Sequence, residues 1–432
     1  MGAIAAETHR TRISQDELNL ICARHDRLWQ ARPGGARAVF AWMDLSGLCL
    51  KGRNLADADF SAATMIGCDL SGARLDNASM FGTDLQNATL IDVSLRRADL
   101  RGACLRGADL SGADLFEADL REGTLATANR AGGYRIIEPR SKDQDREGGK
   151  DRNTQAQGAC LAGANLQRSR LSGVAAQSAD FSDAIMKDCK LVRANLKQAN
   201  FRNADLSGAD MSGCDLTGAD MRDAILVGVI STMWRADGAN LDGALTDKRS
   251  VGSPVARMPA ADMLHEHAVW CASGGTEGQP SVFDGVDLRT LGSISGLDLT
   301  ALSARGAVFY GLDMEGVQLQ GARLEGADLR STNLRRADLR GARLNNARLG
   351  GADLREAQLG PLLIGPERLL PADLSGATLR GADLTGADLR RALFVGADLG
   401  RAGLHGAQTR YADFTDANLT AVRGLVLQDD AA

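Results

Sequence analysis

A large apolar residue recurs at every fifth position over most of this chain. The series begins at Phe40 and continues without a gap through Leu100 and Leu110 to Leu125. A five-residue period fits neither the 3.6-residue turn of an α-helix nor the two-residue alternation of a long strand. We therefore predict that each repeat is a short extended piece followed by a turn, and that stacked repeats enclose an axial core.

The residues around each apolar anchor follow the same period. A small residue, usually Ala, lies two positions before the anchor, as at Ala98 and Ala108, and Asp or Asn usually lies between the two. Side chains two apart on a strand share a face, so the small and large residues are predicted to point inward. The residue between them points outward beside the turn. We therefore expect almost all of the aspartates to be structural rather than catalytic or metal-binding.

Composition agrees with a repetitive aliphatic core. Of the 432 residues, 44% are hydrophobic but only 4% are aromatic, and the formal net charge of -5 is close to balance. That balance argues against direct nucleic-acid binding and against a strongly acidic mimic of DNA. The eight cysteines show no zinc-ligand spacing, so we expect reduced thiols, no metal and no cofactor. Neither a membrane-spanning run nor a signal peptide is evident, which predicts a cytoplasmic protein without membrane insertion.

The tripeptide Ala-Asp-Leu occurs twelve times, for example at Ala108 to Leu110 and Ala387 to Leu389. With its fixed phase, the chain resembles the pentapeptide repeat family. The resemblance implies an all-β solenoid, a right-handed quadrilateral β-helix with four pentapeptides per coil. It also implies an alternative function, because some members look like duplex DNA and bind type II topoisomerases such as gyrase.

Interruptions of the period predict the domain organisation. The phase is lost after Leu125 and resumes one residue out of register at Leu161, and the mixed-charge stretch 130–157 between them is predicted to be a flexible loop. The predicted parts are an N-terminal segment 1–35, a first solenoid 36–246, a linker with a second helix 247–282, a second solenoid 283–421 and a tail 422–432.

Two helical stretches, Ser14 to Gln30 and Pro259 to Ser273, precede the two solenoids, and a capping box is predicted at Ser14 and Glu17. An open solenoid end exposes unpaired backbone, so both helices are predicted to be caps. His25 and His267 are expected to help dock them rather than to bind metal. The predicted covering residues are Leu18, Ile21, Leu28 and Trp29 in the first helix, and Met263, Leu264, Val269 and Trp270 in the second.

No catalytic triad, Cys/His pair or phosphate-binding loop is supported by spacing, and flat solenoid walls offer no concave site. We therefore predict a protein that is not an enzyme, a scaffold or adaptor for a protein partner. The candidate partner-binding residues are Arg323, Arg335, Arg343, Arg348, Arg355, Leu363 and Leu370.

A twenty-residue coil would stack Arg323 on Arg343, Arg335 on Arg355 and Arg348 on Arg368. Acidic residues are interleaved with these arginines, so a salt-bridged surface remains the competing interpretation. The Pro-bounded stretch 360–371, which contains Leu363 and Leu370, is either an exposed apolar patch or a bulge folded back on the solenoid. The apolar residues Val422, Leu425, Val426 and Leu427 are expected to cap the second solenoid or to form a homodimer seam.

Overall fold

Five-residue repeats form the walls of the molecule in the computed structural model, which describes residues 11–121, 125–128, 134–137, 154–247 and 259–426. The small residue and the anchor of each repeat point inward. Ala108 and the anchors Leu100, Leu105 and Leu110 are fully buried. The inward assignment made from the period is therefore confirmed.

A tight turn closes each repeat. The amide of Ala108 donates to the carbonyl of Leu105 at 3.0 Å, and Gly107 has a φ of +63°. This combination is a type II turn, which favours Gly at its third position. The outward aspartate supports the turn, as where Asp109 Oδ1 accepts the amide of Ser111 at 2.9 Å. These contacts explain why Asp recurs at the outward position of the repeat.

Four repeats make one coil. Val39 forms a parallel bridge with Asp59, twenty positions along the chain, and Asp59 forms the next with Ser79. Equivalent side chains therefore stack directly, as shown by the rings of Phe40 and Phe60, whose centroids are 5.0 Å apart. Backbone hydrogen bonds passed from coil to coil make the fold a β-helical solenoid.

The chain divides into two compact units, Met1–Asp247 and Lys248–Ala432. In the N-terminal unit, β1 (Thr11–Arg12) pairs in parallel with β2 (Met43–Asp44), and α1 spans Gln15–Trp29. The buried core of this unit runs from Ile13 to Leu226. Although the sequence pattern decays after residue 227, the coil continues, because Ile230 still bridges to Asp210.

An insertion explains the register change in the N-terminal unit. Cys104 bridges to Gln155, a separation of 51 positions instead of twenty, and this excess is one more than a multiple of five. Within the insertion, β3 (Leu125–Ala128) and β4 (Tyr134–Ile137) pair antiparallel. The predicted loop end at residue 157 is wrong, because Thr154 to Gln157 already belong to the coil. The rest of that loop, 130–133 and 138–153, lies outside the described residues.

The C-terminal unit contains α2 (Ala260–Ala272), a 3-10 turn (Arg289–Leu291) and the antiparallel strands β5 (Leu362–Gly365) and β6 (Arg368–Leu370). Its buried core runs from Leu264 to Ala407, and Val422 and Leu425 pack against it. Val426 is exposed, and Leu427 lies outside the described residues.

The helices contact the cores through only half of the residues predicted to cover them, Leu18 and Ile21 in α1 and Met263 and Leu264 in α2. Leu18 and Cys22 of α1 belong to the buried core, and Ile21 packs against it. By contrast, Leu28 and Trp29 are 47% and 46% exposed, so the prediction that they cover the end of the core is wrong. Leu28 and Trp29 continue the same helical stripe, but they lie in the last turn of α1, beyond its contact with the core. In α2, Leu264 is buried and Met263 packs against the core, whereas Val269 and Trp270 are only half-buried.

Each helix is fixed by one histidine, as predicted. The Nδ1 atom of His25 accepts the amide of Ala38 at 3.1 Å, and Nδ1 of His267 accepts the amide of Ser281 at 2.9 Å. Both imidazoles are buried, and burial lowers the pKa of each. The capping box of Ser14 and Glu17 is present at the start of α1.

Candidate functional site

Eight outward arginines in the described repeats are each held by an aspartate of their own repeat. Arg355 is an example: its Nε donates to Oδ1 of Asp353 at 2.8 Å, and this hydrogen bond raises the pKa of the guanidinium. Such an arginine is already paired in the free protein. The other Asp-Leu-Arg pairs of this kind are Asp99/Arg101, Asp119/Arg121, Asp220/Arg222, Asp287/Arg289, Asp328/Arg330, Asp338/Arg340 and Asp388/Arg390.

Arg323 and Arg343 occupy a different position, the one between the small residue and the anchor where Asp usually lies. They form a parallel bridge with each other, as the twenty-residue coil predicts, and we call this pair the arginine ladder. Arg343 reaches Glu325 at 4.0 Å and forms a second parallel bridge, on its other side, with Asp373. Arg323 is exposed and forms no ion pair with any residue that the structure describes. The ladder therefore carries positive charge that its surroundings neutralise incompletely.

The remaining predicted arginines differ from the ladder. Arg335 and Arg355 lie at equivalent corners of successive coils, because the amide of Arg336 donates to the carbonyl of Arg355 at 3.0 Å. The Nε atom of Arg335 is buried without a hydrogen-bond partner.

The predicted stacking of Arg348 on Arg368 is wrong. Arg348 bridges to Thr378, since the residues between Leu359 and Ala372 leave the coil. Arg368 lies instead on β6, where it is exposed. The insertion adds ten residues at this corner, a multiple of five, so the anchor phase before and after it is unchanged.

The residues that leave the coil form the β5–β6 hairpin. Leu363 is 66% exposed, and Ile364 and Leu369 are also exposed. Leu370, predicted to point outward, is half-buried instead, because it faces the coil. The exposure of Ile364 and Leu369 was not predicted from the sequence. The signal for them was Gly365 to Glu367 between two apolar runs, which is typical of a hairpin.

The hairpin lies beside the arginine ladder. A Cβ atom at Gly341 would be 2.9 Å from Cβ of Leu362 and 3.1 Å from Cδ2 of Leu370, so both side chains pack directly on this glycine. Gly341 precedes Arg343 by two residues. Leu362 also reaches within 3.9 Å of the Cβ position of Gly321, which precedes Arg323 by two. The structure therefore places the hairpin, which carries the exposed aliphatic side chains, against the turns that precede the two ladder arginines.

The buried cysteines have weakly acidic thiols. Burial raises the pKa of Cys22, Cys68 and Cys104 to about 11, which makes these thiols poor nucleophiles. Within the described ranges, no three His, Cys, Asp or Glu side chains are grouped so that they could hold a metal ion. Neither α1 nor α2 has the length and apolar character needed to cross a membrane.

Among solved structures, three repeat proteins are similar to this chain. HetL, a pentapeptide repeat protein involved in heterocyst differentiation regulation in the cyanobacterium Nostoc sp. strain PCC 7120, is 23% identical, with 93% of this chain and 94% of HetL covered and a TM-score of 0.20. Rfr23 from the cyanobacterium Cyanothece 51142 is 26% identical, with 32% and 84% covered and a TM-score of 0.22. QnrB1, a plasmid-mediated fluoroquinolone resistance protein, is 20% identical, with 48% and 94% covered and a TM-score of 0.23. Superpositions with such TM-scores carry no argument about function.

Comparison with curated proteins gave no similar sequence. The family described as pentapeptide repeats, in contrast, matches eight segments that together span more than half of the chain. The matched segments are 54–92, 78–115, 94–129, 152–188, 189–228, 293–330, 332–360 and 372–408. Most of the matched residues lie in the coils described above, and the chain therefore belongs to the pentapeptide repeat family.

Proposed function

We propose that this protein is a noncatalytic scaffold or adaptor that binds a protein partner through its outer walls. The inward side chains are buried in the core, so only the side chains on the walls and corners can contact a partner. The proposal rests on one observation: the side chains of Leu363, Ile364 and Leu369 are exposed on the β5–β6 hairpin. Exposed apolar patches of this kind are typical of protein interaction sites.

The two helices serve this role as caps. Leu18 of α1 and Leu264 of α2 each belong to the core of their own unit, which supports this assignment. Covering a solenoid end prevents edge-to-edge association of coils. We place the partner in the cytoplasm, because all eight cysteines are free thiols. A second copy of the chain is an alternative partner.

Affinity capture from cell extract with quantitative mass spectrometry tests the scaffold proposal. We expect the full chain to retain a protein that Leu363→Ser loses. The matched control is Val426→Ser, because Val426 is as exposed as Leu363 but lies far along the chain from the hairpin. Retention of no protein, or equal retention by both variants and the parent chain, would contradict the proposed role of the hairpin.

A DNA-mimicking modulator of gyrase is the second candidate. It is favoured by one wall of the N-terminal unit, where Asp69, Asp109, Asp180 and Asp220 occupy alternate outward positions of one column and uncharged residues occupy the positions between them. The expected outcome is dose-dependent protection of gyrase supercoiling from a quinolone. Unchanged supercoiling over a full concentration series would remove this candidate and leave the scaffold proposal intact.

A further inference from the structure

We propose that the arginine ladder and the β5–β6 hairpin together bind an extended acidic segment of the partner that also carries aliphatic side chains. This inference rests on the proposed scaffold function and names the chemistry of its partner. It is carried by the juxtaposition of Arg323 and Arg343 with Leu363, Ile364 and Leu369.

The charge arrangement favours an anionic partner, above all at Arg323, because Arg343 also bridges to Asp373. Like charges on directly bridged residues are destabilising, yet Arg323 and Arg343 form such a pair. The Asp-Leu-Arg arrangement that pairs other arginines is absent here, because the ladder arginines themselves occupy the Asp position. Arg368 on β6 adds a third exposed guanidinium without an ion pair among the described residues. An acidic segment lying along this corner would neutralise all three.

The exposed apolar side chains of the hairpin favour an acidic peptide over a nucleic acid as the partner. A nucleic acid backbone would satisfy the guanidinium groups but would leave Leu363, Ile364 and Leu369 in water. A segment that alternates acidic and aliphatic residues would satisfy both, because successive side chains of an extended chain point in opposite directions. Such a segment would bury the exposed leucines and release water from them.

The geometry of the surface depends on one glycine. Leu362 and Leu370 pack on Gly341, which has a φ of +67°. An alanine there would collide with Cβ of Leu362 and displace the hairpin from the ladder. Gly326 has the same conformation, with a φ of +68°, but nothing lies within 4 Å of its Cβ position. Gly326→Ala therefore introduces the same backbone strain without the collision.

The test is selection of peptides from a displayed random 12-residue library on the full chain, followed by fluorescence polarisation with the enriched peptides. We expect enriched peptides to combine Asp or Glu with Leu, Ile or Val. Arg323→Glu with Arg343→Glu should weaken their binding about tenfold or more, and Gly341→Ala should weaken it more than Gly326→Ala. Arg423→Glu is the control for charge, because Arg423 is an exposed arginine at the same position of a repeat. Circular dichroism verifies that each variant is folded.

The inference is overturned if no peptide is enriched, if enriched peptides lack acidic residues, or if they bind the ladder variants as tightly as the parent chain. A labelled DNA duplex that binds equally tightly, depends on Arg323 and Arg343 and ignores Leu363→Ser would also overturn it in favour of a polyanion surface. A protein captured by the parent chain and by the ladder variants alike would leave the scaffold proposal standing while this inference fails.

Discussion

At the scale of single residues, the anchor of each repeat determines the fold and the residue before it determines the surface. Leu105 and Leu110 are fully buried, and Asp109 between them supports the turn. Where Arg replaces Asp at that outward position, as at Arg323 and Arg343, the turn persists and the wall gains charge. A change of surface chemistry therefore needs no change in the core.

Replacement of an anchor by a charged residue tests this division. Leu110→Arg places an unpaired charge in an aliphatic core, which costs several kcal/mol, roughly enough to unfold the local coils. Ile91→Arg is the control, since Ile91 is exposed at a corner of the same unit. Thermal unfolding followed by circular dichroism should show a large loss for Leu110→Arg only. Equal melting of the two variants would contradict the inward assignment.

At the scale of elements, α1 and α2 are each docked onto their solenoid by the same kind of histidine hydrogen bond. In each, Nδ1 of a buried histidine accepts a backbone amide from the first residues of the solenoid. A protonated imidazole has no acceptor to offer and would direct a second N–H at that amide. Around His25, Asp26 and Asp57 favour the charged form and Arg37 opposes it, whereas Asp298 favours it at His267. Burial outweighs these charges at both sites.

The two docking histidines predict that the stability of the folded protein decreases at acidic pH. Burial holds the pKa of His25 and His267 in the folded protein below the ordinary value of 6.5. The unfolded chain therefore takes up protons first, so stability is full above that value and is lost as the pH falls through the folded pKa values. Urea unfolding at pH 7.5 and 5.5 should show this loss, and His25→Gln with His267→Gln should reduce it. His265→Gln, at an exposed position of α2, should not.

The boundaries of the insertion in the N-terminal unit predict which residues can be deleted without loss of stability. Oγ1 of Thr154 donates to the carbonyl of Arg121 at 2.8 Å, so the two ends of the insertion are in contact. Replacement of residues 122–153 by one glycine would restore an unbroken series of pentapeptides. We expect this variant to remain monodisperse by size-exclusion chromatography and to melt like the parent.

A longer deletion provides the contrast. Removal of residues 122–157 also takes away Ala156, which is buried and whose amide donates to the carbonyl of Ala175 at 2.7 Å. This variant should melt lower than the one that retains Thr154 to Gln157. Equal stability of the two deletions would show that the coil begins after residue 157.

At the scale of the whole molecule, the period was sufficient to predict the coils but not the places where the chain leaves them. The inward positions follow directly from spacing, and so did the stacking of Arg323 on Arg343. The position of Arg348 could not be predicted, because nothing in the spacing reveals that residues 360–371 leave the coil while preserving the count of five. The burial of Cys22 but not of Trp29, which lies two turns further along the same face of α1, likewise depends on where the helix ends relative to the core, which tertiary packing decides.

Both excursions from the coils begin at corners, and the coils above and below them remain joined by the same ladder of hydrogen bonds. A corner can therefore accept extra sequence of almost any length without disturbing the register of its neighbours, whether or not that length is a multiple of five. Duplication and divergence could thus equip such a scaffold with new recognition elements one corner at a time, while the ancestral framework keeps its stability.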